Sequence, residues 1–157
     1  MSQNVTVAPV QRSVTVAARP ERAFEVFTAG FASWWPSSHS VIEGGYEGAY
    51  IEPREGGRWY ERSRTGVEEV WGRVLAYEPP HRILLSWQLD GEFEIDAEAS
   101  RATEVEVRFT PEGEGTRVEL EHRGFERRAD GAAIAEGVGA DGGWGSLLER
   151  YAEAVAT

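Results

Sequence analysis

The stretch from Thr103 to Arg123, TEVEVRFTPEGEGTRVELEHR, decides the fold. In its first half Val105, Val107 and Phe109 alternate with Glu104, Glu106 and Arg108; in its second half Val118, Leu120 and His122 alternate with Arg117, Glu119 and Glu121. A period of two describes strands with one face on a core and the other in water. The Glu112-Gly113-Glu114-Gly115 link between them is too short for a parallel crossover, which needs a dozen residues or more, so the two strands are antiparallel neighbours. The same grammar runs upstream. Strands are expected at Ala49 to Glu52, Arg58 to Arg62, Val67 to Tyr77 and Ile83 to Leu89, separated by Gly56-Gly57, Thr65-Gly66, Pro79-Pro80 and Asp90-Gly91. Each break supplies the backbone freedom or fixed φ that a turn needs.

Outside this meander the spacing becomes helical, apart from one further strand expected at Val10 to Ala17. Pro20 and Glu21 suit a first helical turn, Ala23, Phe24 and Phe27 give the helix an apolar face, and Gly30 stops it. Phe31 to Trp35 makes a second short helical turn ended by Pro36, and Ser37 to Gly48 reads as a mobile loop that suits a lid. At the other end, Trp144, Leu147, Leu148, Tyr151 and Val155 form one stripe, predicting a long helix within Ala132 to Ala156, capped by Asp130 or Asp141, that packs on the sheet. No repeat or linker interrupts residues 1–157, a length suited to one domain burying about 70% of its unfolded surface.

Composition removes several function classes. The formal charge is −11 and the pI about 4.8, which disfavours nucleic acid and anionic membranes. All 16 basic residues are arginine, as in a GC-rich bacterial genome, and they are interspersed with acids as on solvated strand faces. With no cysteine there is neither a disulfide framework nor a thiolate nucleophile. Met1 to Val5 lacks the basic start of a secretion signal, and no run approaches the ~20 apolar residues of a membrane span, so a cytoplasmic protein is expected. His39, His81 and His122 lie too far apart in sequence for a ligand cluster, and neither glycine-rich segment has phosphate-binding spacing. No metal, no cofactor and no ATPase activity of its own are therefore expected.

Six tryptophans against one methionine point to an aromatic interior. Trp35, Trp59, Trp71, Trp87, Phe109, His122, Trp144, Leu148 and Tyr151 are the candidate ligand-lining residues, although core packing explains each of them taken singly. His122 is the candidate acid or base, because the alternation turns it inward. Asp96, Glu69 and Glu94 are its candidate partners, with a core imidazole satisfied by neighbours as the alternative. His39 and His81 are expected to face solvent, and the serines beside His39 to serve the loop.

One strand, two short helices, an antiparallel meander and a terminal amphipathic helix follow the order of a helix-grip fold. Short signposts in that order span nearly the whole chain: Arg19-Pro20-Glu21-Arg22-Ala23-Phe24, Phe31-Ala32-Ser33-Trp34-Trp35-Pro36, Glu55-Gly56-Gly57-Arg58-Trp59, Glu78-Pro79-Pro80-His81-Arg82, Gly115-Thr116-Arg117-Val118 and Gly143-Trp144. On these the chain resembles the START-like superfamily, in the branch named after the C-terminal domain of the activator of the Hsp90 ATPase. The resemblance implies an α+β fold, with a curved antiparallel sheet wrapped around a long C-terminal helix and a cavity between them. Its leading functional implication is binding of a small apolar or aromatic molecule. A polyketide cyclase or dehydratase is the alternative, with His122 moving a proton and Tyr151 or Tyr60 stabilising an enolate. A chaperone-regulating interaction domain ranks third, because the named activators carry a further domain that 157 residues leave no room for. Self-association is left open.

Overall fold

A computed structural model of the chain describes residues 7–40 and 44–157. The expectation drawn from Met1 to Val5 and the centre of the Ser37 to Gly48 loop, residues 41–43, lie outside the described residues. Seven strands form one antiparallel sheet in the order β1-β7-β6-β5-β4-β3-β2. They are β1 Val10–Val16, β2 Tyr46–Ile51, β3 Arg58–Ser63, β4 Glu68–Glu78, β5 Arg82–Trp87, β6 Thr103–Glu112 and β7 Gly115–Arg123. The hairpin that the sequence predicts is β6–β7, in register from Glu104 opposite Arg123 to Glu112 opposite Gly115. Val105, Val107, Phe109, Val118, Leu120 and His122 are buried on its inner face. This is the α+β helix-grip architecture, a curled antiparallel sheet closed by helices.

The curl has a local cause. Trp59 pairs with Gly72 while Tyr60 pairs with Val70, which leaves Trp71 as an extra residue in β4. An unmatched residue bends its strand and strengthens the twist. Gly72 permits the bend: a Cβ there would lie 2.2 Å from the Ser86 carbonyl oxygen and 2.9 Å from the Trp59 ring. The bulge places the Trp59 and Trp71 rings 5.1 Å apart, both buried, at the concave end of the sheet.

Helix α1, Pro20–Phe27, follows β1 and buries Ala23, Phe24 and Phe27. Phe31–Ser33 and Ser37–His39 are single 3₁₀ turns, so the start of the expected loop is ordered and β2 begins at Tyr46 rather than Ala49. The expected C-terminal helix is present as α3, Trp144–Ala156, and a shorter helix, α2 Gly131–Gly139, precedes it. The break between them lies at Gly142-Gly143, where Gly142 adopts φ +85° and a Cβ on Gly143 would sit 2.1 Å from the Val138 carbonyl oxygen. Neither expected cap forms. Asp130 precedes α2, but its carboxylate accepts the Gly91 N–H and pairs with Arg128, while the residue before α3 is Gly143.

The α3 stripe is buried as predicted, and α1 clamps it at two points. The Tyr151 hydroxyl donates to the Ala23 carbonyl at 2.6 Å, and the Arg22 guanidinium donates to the carbonyls of Val155 and Thr157. Leu148→Ala should therefore cost about 2 to 5 kcal/mol of stability. Urea denaturation measures it, and a change within ~0.5 kcal/mol, the size seen at exposed sites, would remove Leu148 from the core.

Candidate functional site

Where the helices diverge from the sheet they leave a cavity of about 490 Å³. Its floor comes from β4 and β5 through Trp71 and Trp87, and its roof from α2 and α3 through Gly137, Val138, Trp144 and Leu147. Trp35, Ser38, His39 and Ser40 form one side of the mouth; Leu89, Glu92 and Phe93 form another, and Asp141, Gly142 and Gly143 close the helix break. The size falls in the range of roughly 300 to 1,000 Å³ that holds drug-sized ligands, and a mainly apolar wall with a few polar groups is the usual composition of such sites.

The rings lining it form a connected wall. Trp35 meets the edge of Trp71 at 5.2 Å, Trp71 lies 5.7 Å from Trp87, and Trp87 lies 5.6 Å from Trp144. Within this wall the indole N–H groups of Trp35, Trp71 and Trp87, and that of neighbouring Trp59, are buried and find no acceptor among the described residues. A buried donor left without a partner costs about 1 to 3 kcal/mol, and such groups are rare enough in folded proteins to need a reason. Three of the four lie in the wall of one cavity.

Trp144 is different. Its indole donates to His122 Nδ1 at 3.0 Å, and His122 Nε2 lies 2.8 Å from the Thr103 hydroxyl. Because an indole N–H only donates, Nδ1 is the acceptor and Nε2 carries the proton toward Thr103. Burial pushes the imidazole pKa down to about 3, so the ring is neutral. His122 therefore fixes Trp144 in the cavity wall, and it does not itself line the cavity. Asp96, one of its expected partners, instead pairs with Arg101 and Arg128, which hold its carboxyl well below the usual range.

Of the nine expected lining residues, Trp35, Trp71, Trp87 and Trp144 meet in this cavity. Trp59 stacks behind Trp71, Phe109 packs on Phe24 and Phe27, and Leu148 and Tyr151 belong to the α1–α3 core. Burial raises the Tyr151 phenol, whose proton is committed to Ala23, and Tyr60 lies under the Arg58 guanidinium at 4.2 Å. His122, Tyr151 and Tyr60 are thus not grouped around the cavity.

Sequence reasoning overlooked the mouth. His39, expected to face solvent, is half-buried against the Trp35 ring, and its Nε2 lies 2.7 Å from the Gly142 carbonyl oxygen. This bond joins the turn after Trp35 to the α2–α3 break. Ser38, expected to serve the loop, and Asp141, expected as a helix cap, line the same mouth with Glu92 and Phe93, which had no expected role. Phe93 has φ +60°, an uncommon backbone for a bulky residue. Its ring lies over Gly137, where a Cβ would come within 2.6 Å of Phe93 Cζ.

The sequence matches the model of the Activator of Hsp90 ATPase homolog 1-like protein family over residues 17–156, and the chain belongs to that family, within the START-like superfamily. Among solved structures, the anthrahydroquino-γ-pyrone synthase Txn09 is 42% identical, over 94% of this chain and 97% of its own, with a TM-score of 0.64. The self-sacrificing resistance protein CalC from Micromonospora echinospora is 32% identical, over 94% and 93% of the two chains, with a TM-score of 0.69. Protein NE0264 from Nitrosomonas europaea shares the fold at 14% identity and a TM-score of 0.65, over 94% of each chain. No curated protein matches the chain. Among the described residues no helix is long and apolar enough to cross a membrane, and no group of three metal-ligating side chains is found.

Proposed function

We propose that this chain binds a small aromatic molecule in the cavity between the sheet and the two C-terminal helices, with Trp35, Trp71, Trp87 and Trp144 as its walls. The observation that carries the reading is the set of three buried indole N–H groups without acceptors in a cavity of about 490 Å³. A flat ring system stacks on the same indoles, and its carbonyl, ether or hydroxyl oxygens offer an acceptor to each N–H that turns toward the cavity when the ligand binds. The kinship with a pyrone synthase and a resistance protein supports it, since a synthase must hold the compound it acts on.

The test is a titration with flat aromatic carbonyl compounds, flavonoids and fatty acids. A ligand of the proposed kind quenches tryptophan fluorescence saturably and raises the unfolding free energy by about 2.7 kcal/mol at a hundred times its Kd. Trp71→Phe keeps a ring and deletes one orphan donor, so relief of that unpaired group offsets part of the cost of the smaller side chain in the free protein, while oxygen-bearing ligands should weaken about tenfold, a loss of ~1.4 kcal/mol. Flat titrations across the panel would remove the reading.

The 42% identity to a synthase favours a second reading, in which the same cavity shapes a reactive carbonyl chain for cyclisation. On that reading wild-type protein converts a bound carbonyl chain into a cyclised product, which mass spectrometry of the recovered ligand detects. In a carrier, wild-type protein returns every ligand unmodified.

A further inference from the structure

The mouth of the cavity holds a polar device distinct from the wall of indoles. His39 lines the cavity with Ser38, and its two ring nitrogens have different partners. Nε2 lies 2.7 Å from the Gly142 carbonyl oxygen, and Nδ1 lies 3.2 Å from the Ser38 hydroxyl. A carbonyl oxygen only accepts, so Nε2 carries the proton and Nδ1 presents its lone pair to Ser38. The arrangement has the order of an activated hydroxyl: hydroxyl, base, and a third group that fixes the tautomer of the base. The orienting group is a backbone carbonyl, which retains its bond to Nε2–H when the imidazole becomes charged. Glu92 and Asp141 line the same mouth, and both are exposed.

We propose that Ser38 and His39 form a proton relay that reads an acidic hydroxyl, a phenol or enol, on the molecule bound in the cavity. This rests on the ligand-binding reading above. The ligand hydroxyl gives its proton to Ser38 Oγ as the Ser38 proton passes to His39 Nδ1. The products are a ligand phenolate or enolate and an imidazolium that donates to Gly142, so one O–H bond breaks, one N–H bond forms and nothing is oxidised or reduced. Ionisation of that hydroxyl pushes electron density into the ring system, the activation an aromatic nucleus needs before carbon–carbon bond formation. His122 is unsuited to this role, since both its nitrogens are engaged inside the core and burial keeps it neutral.

A hydroxyanthraquinone tests the relay directly, because its phenol and phenolate absorb at different wavelengths. It is compared with its methyl ether, which cannot ionise. At about one pH unit below the probe's own pKa, roughly a tenth of the free compound is ionised. Bound to wild-type protein, more than half should absorb as phenolate. His39→Gln, whose amide can still donate to the Gly142 carbonyl and so keep the mouth closed, should return the bound probe to the phenol form. Ser38→Ala, which leaves the His39–Gly142 bond untouched, should do the same. Saturable binding of phenol and ether alike, with the wild-type spectrum unshifted, overturns the relay and leaves the binding reading standing. An equal ionised fraction in wild type and both variants overturns it as well. Failure of both compounds to bind removes the reading beneath it.

Discussion

Gly143→Ala should destabilise the protein by about 3 kcal/mol or more and abolish ligand binding with it. A Cβ at this position would fall 2.1 Å from the Val138 carbonyl oxygen and 2.9 Å from that of Ala140. Both neighbours are backbone, so relief requires the α2–α3 junction to open, and overpacking that side chains cannot absorb lies at the upper end of the usual 1 to 3 kcal/mol. The same junction carries Asp141, Gly142 and Trp144 into the cavity and accepts the His39 bond, so it cannot open without moving the wall. Gly142→Ala is the internal control. Its φ of +85° disfavours a side chain, but no atom lies within 4 Å of the added Cβ, and the left-handed penalty is only about 1 to 2 kcal/mol. Urea denaturation of both variants, with fluorescence titration of the ligand, separates them. If the two costs are equal, the close approach of Gly143 to Val138 is not what breaks the helix.

That helix break also shows why part of the fold was illegible in sequence. The β6–β7 hairpin was readable because strict alternation of Val105, Val107 and Phe109 against charged neighbours leaves one arrangement that buries every apolar side chain. The α3 stripe was readable for the corresponding reason at helical period. Between Ile134 and Trp144 the run from Gly137 to Gly145 is glycine-rich, which marks weak helix without placing the stop, and the stop is fixed by Gly143 lying against the Val138 carbonyl. Such a contact is steric, and no pattern of apolar residues encodes it. The strand bulge at Trp71 was hidden for a related reason: β3 and β4 both alternate acceptably, and only their pairing reveals the extra residue.

The site divides along the same line. Tryptophan is costly to expose, so its burial was a sound expectation, yet burial does not separate a core ring from a wall ring. Trp71 borders the cavity and Trp59 stands 5.1 Å behind it, a distinction made by where the helices leave the sheet. His39 escaped notice because its surroundings, Ser37 to Ser40, are polar, while the bond that gives it a role reaches Gly142, 103 residues away. His122 drew attention through correct alternation. What alternation could not supply was its pair of partners, Thr103 on β6 and Trp144 on α3, which make it an anchor for the wall.

That anchor makes the protein acid-sensitive in a defined window. Burial lowers the His122 pKa from 6.5 to about 3. Between these values the unfolded chain takes up a proton that the native chain refuses, so the stability His122 contributes is complete above pH 6.5 and is lost as pH falls toward 3. The refusal is geometric as well as dielectric, because a protonated Nδ1–H would point at the Trp144 N–H, donor against donor. From pH 6.5 to pH 4.5 the loss should amount to about 2 to 3 kcal/mol, since each unit of pKa difference is worth ~1.4 kcal/mol. Below pH 4.5 the arginine-paired carboxylates Glu52, Glu68, Asp96, Asp130 and Glu106 join, all held below their usual range. Burial would raise the Glu106 carboxyl, but hydrogen bonds from Arg82 and Arg123 and the charge of Arg108 outweigh it and hold the pKa at about 2. Its stabilising share is therefore present above pH 4.5 and disappears as pH falls through 2. Urea unfolding at pH 7, 6 and 5 isolates the histidine, because Glu106 contributes only about 0.2 kcal/mol in that interval. The His122 share of wild-type stability should fall by about 0.7 kcal/mol between pH 7 and 6 and by about 1.2 kcal/mol between pH 6 and 5, approaching ~1.4 kcal/mol per unit only below that. His122→Gln, less stable at pH 7 but unable to titrate, should show a flatter profile by that amount. Parallel profiles for the two proteins would mean that the native imidazole accepts a proton near neutrality, and with it that the Thr103–His122–Trp144 chain does not hold the wall as described.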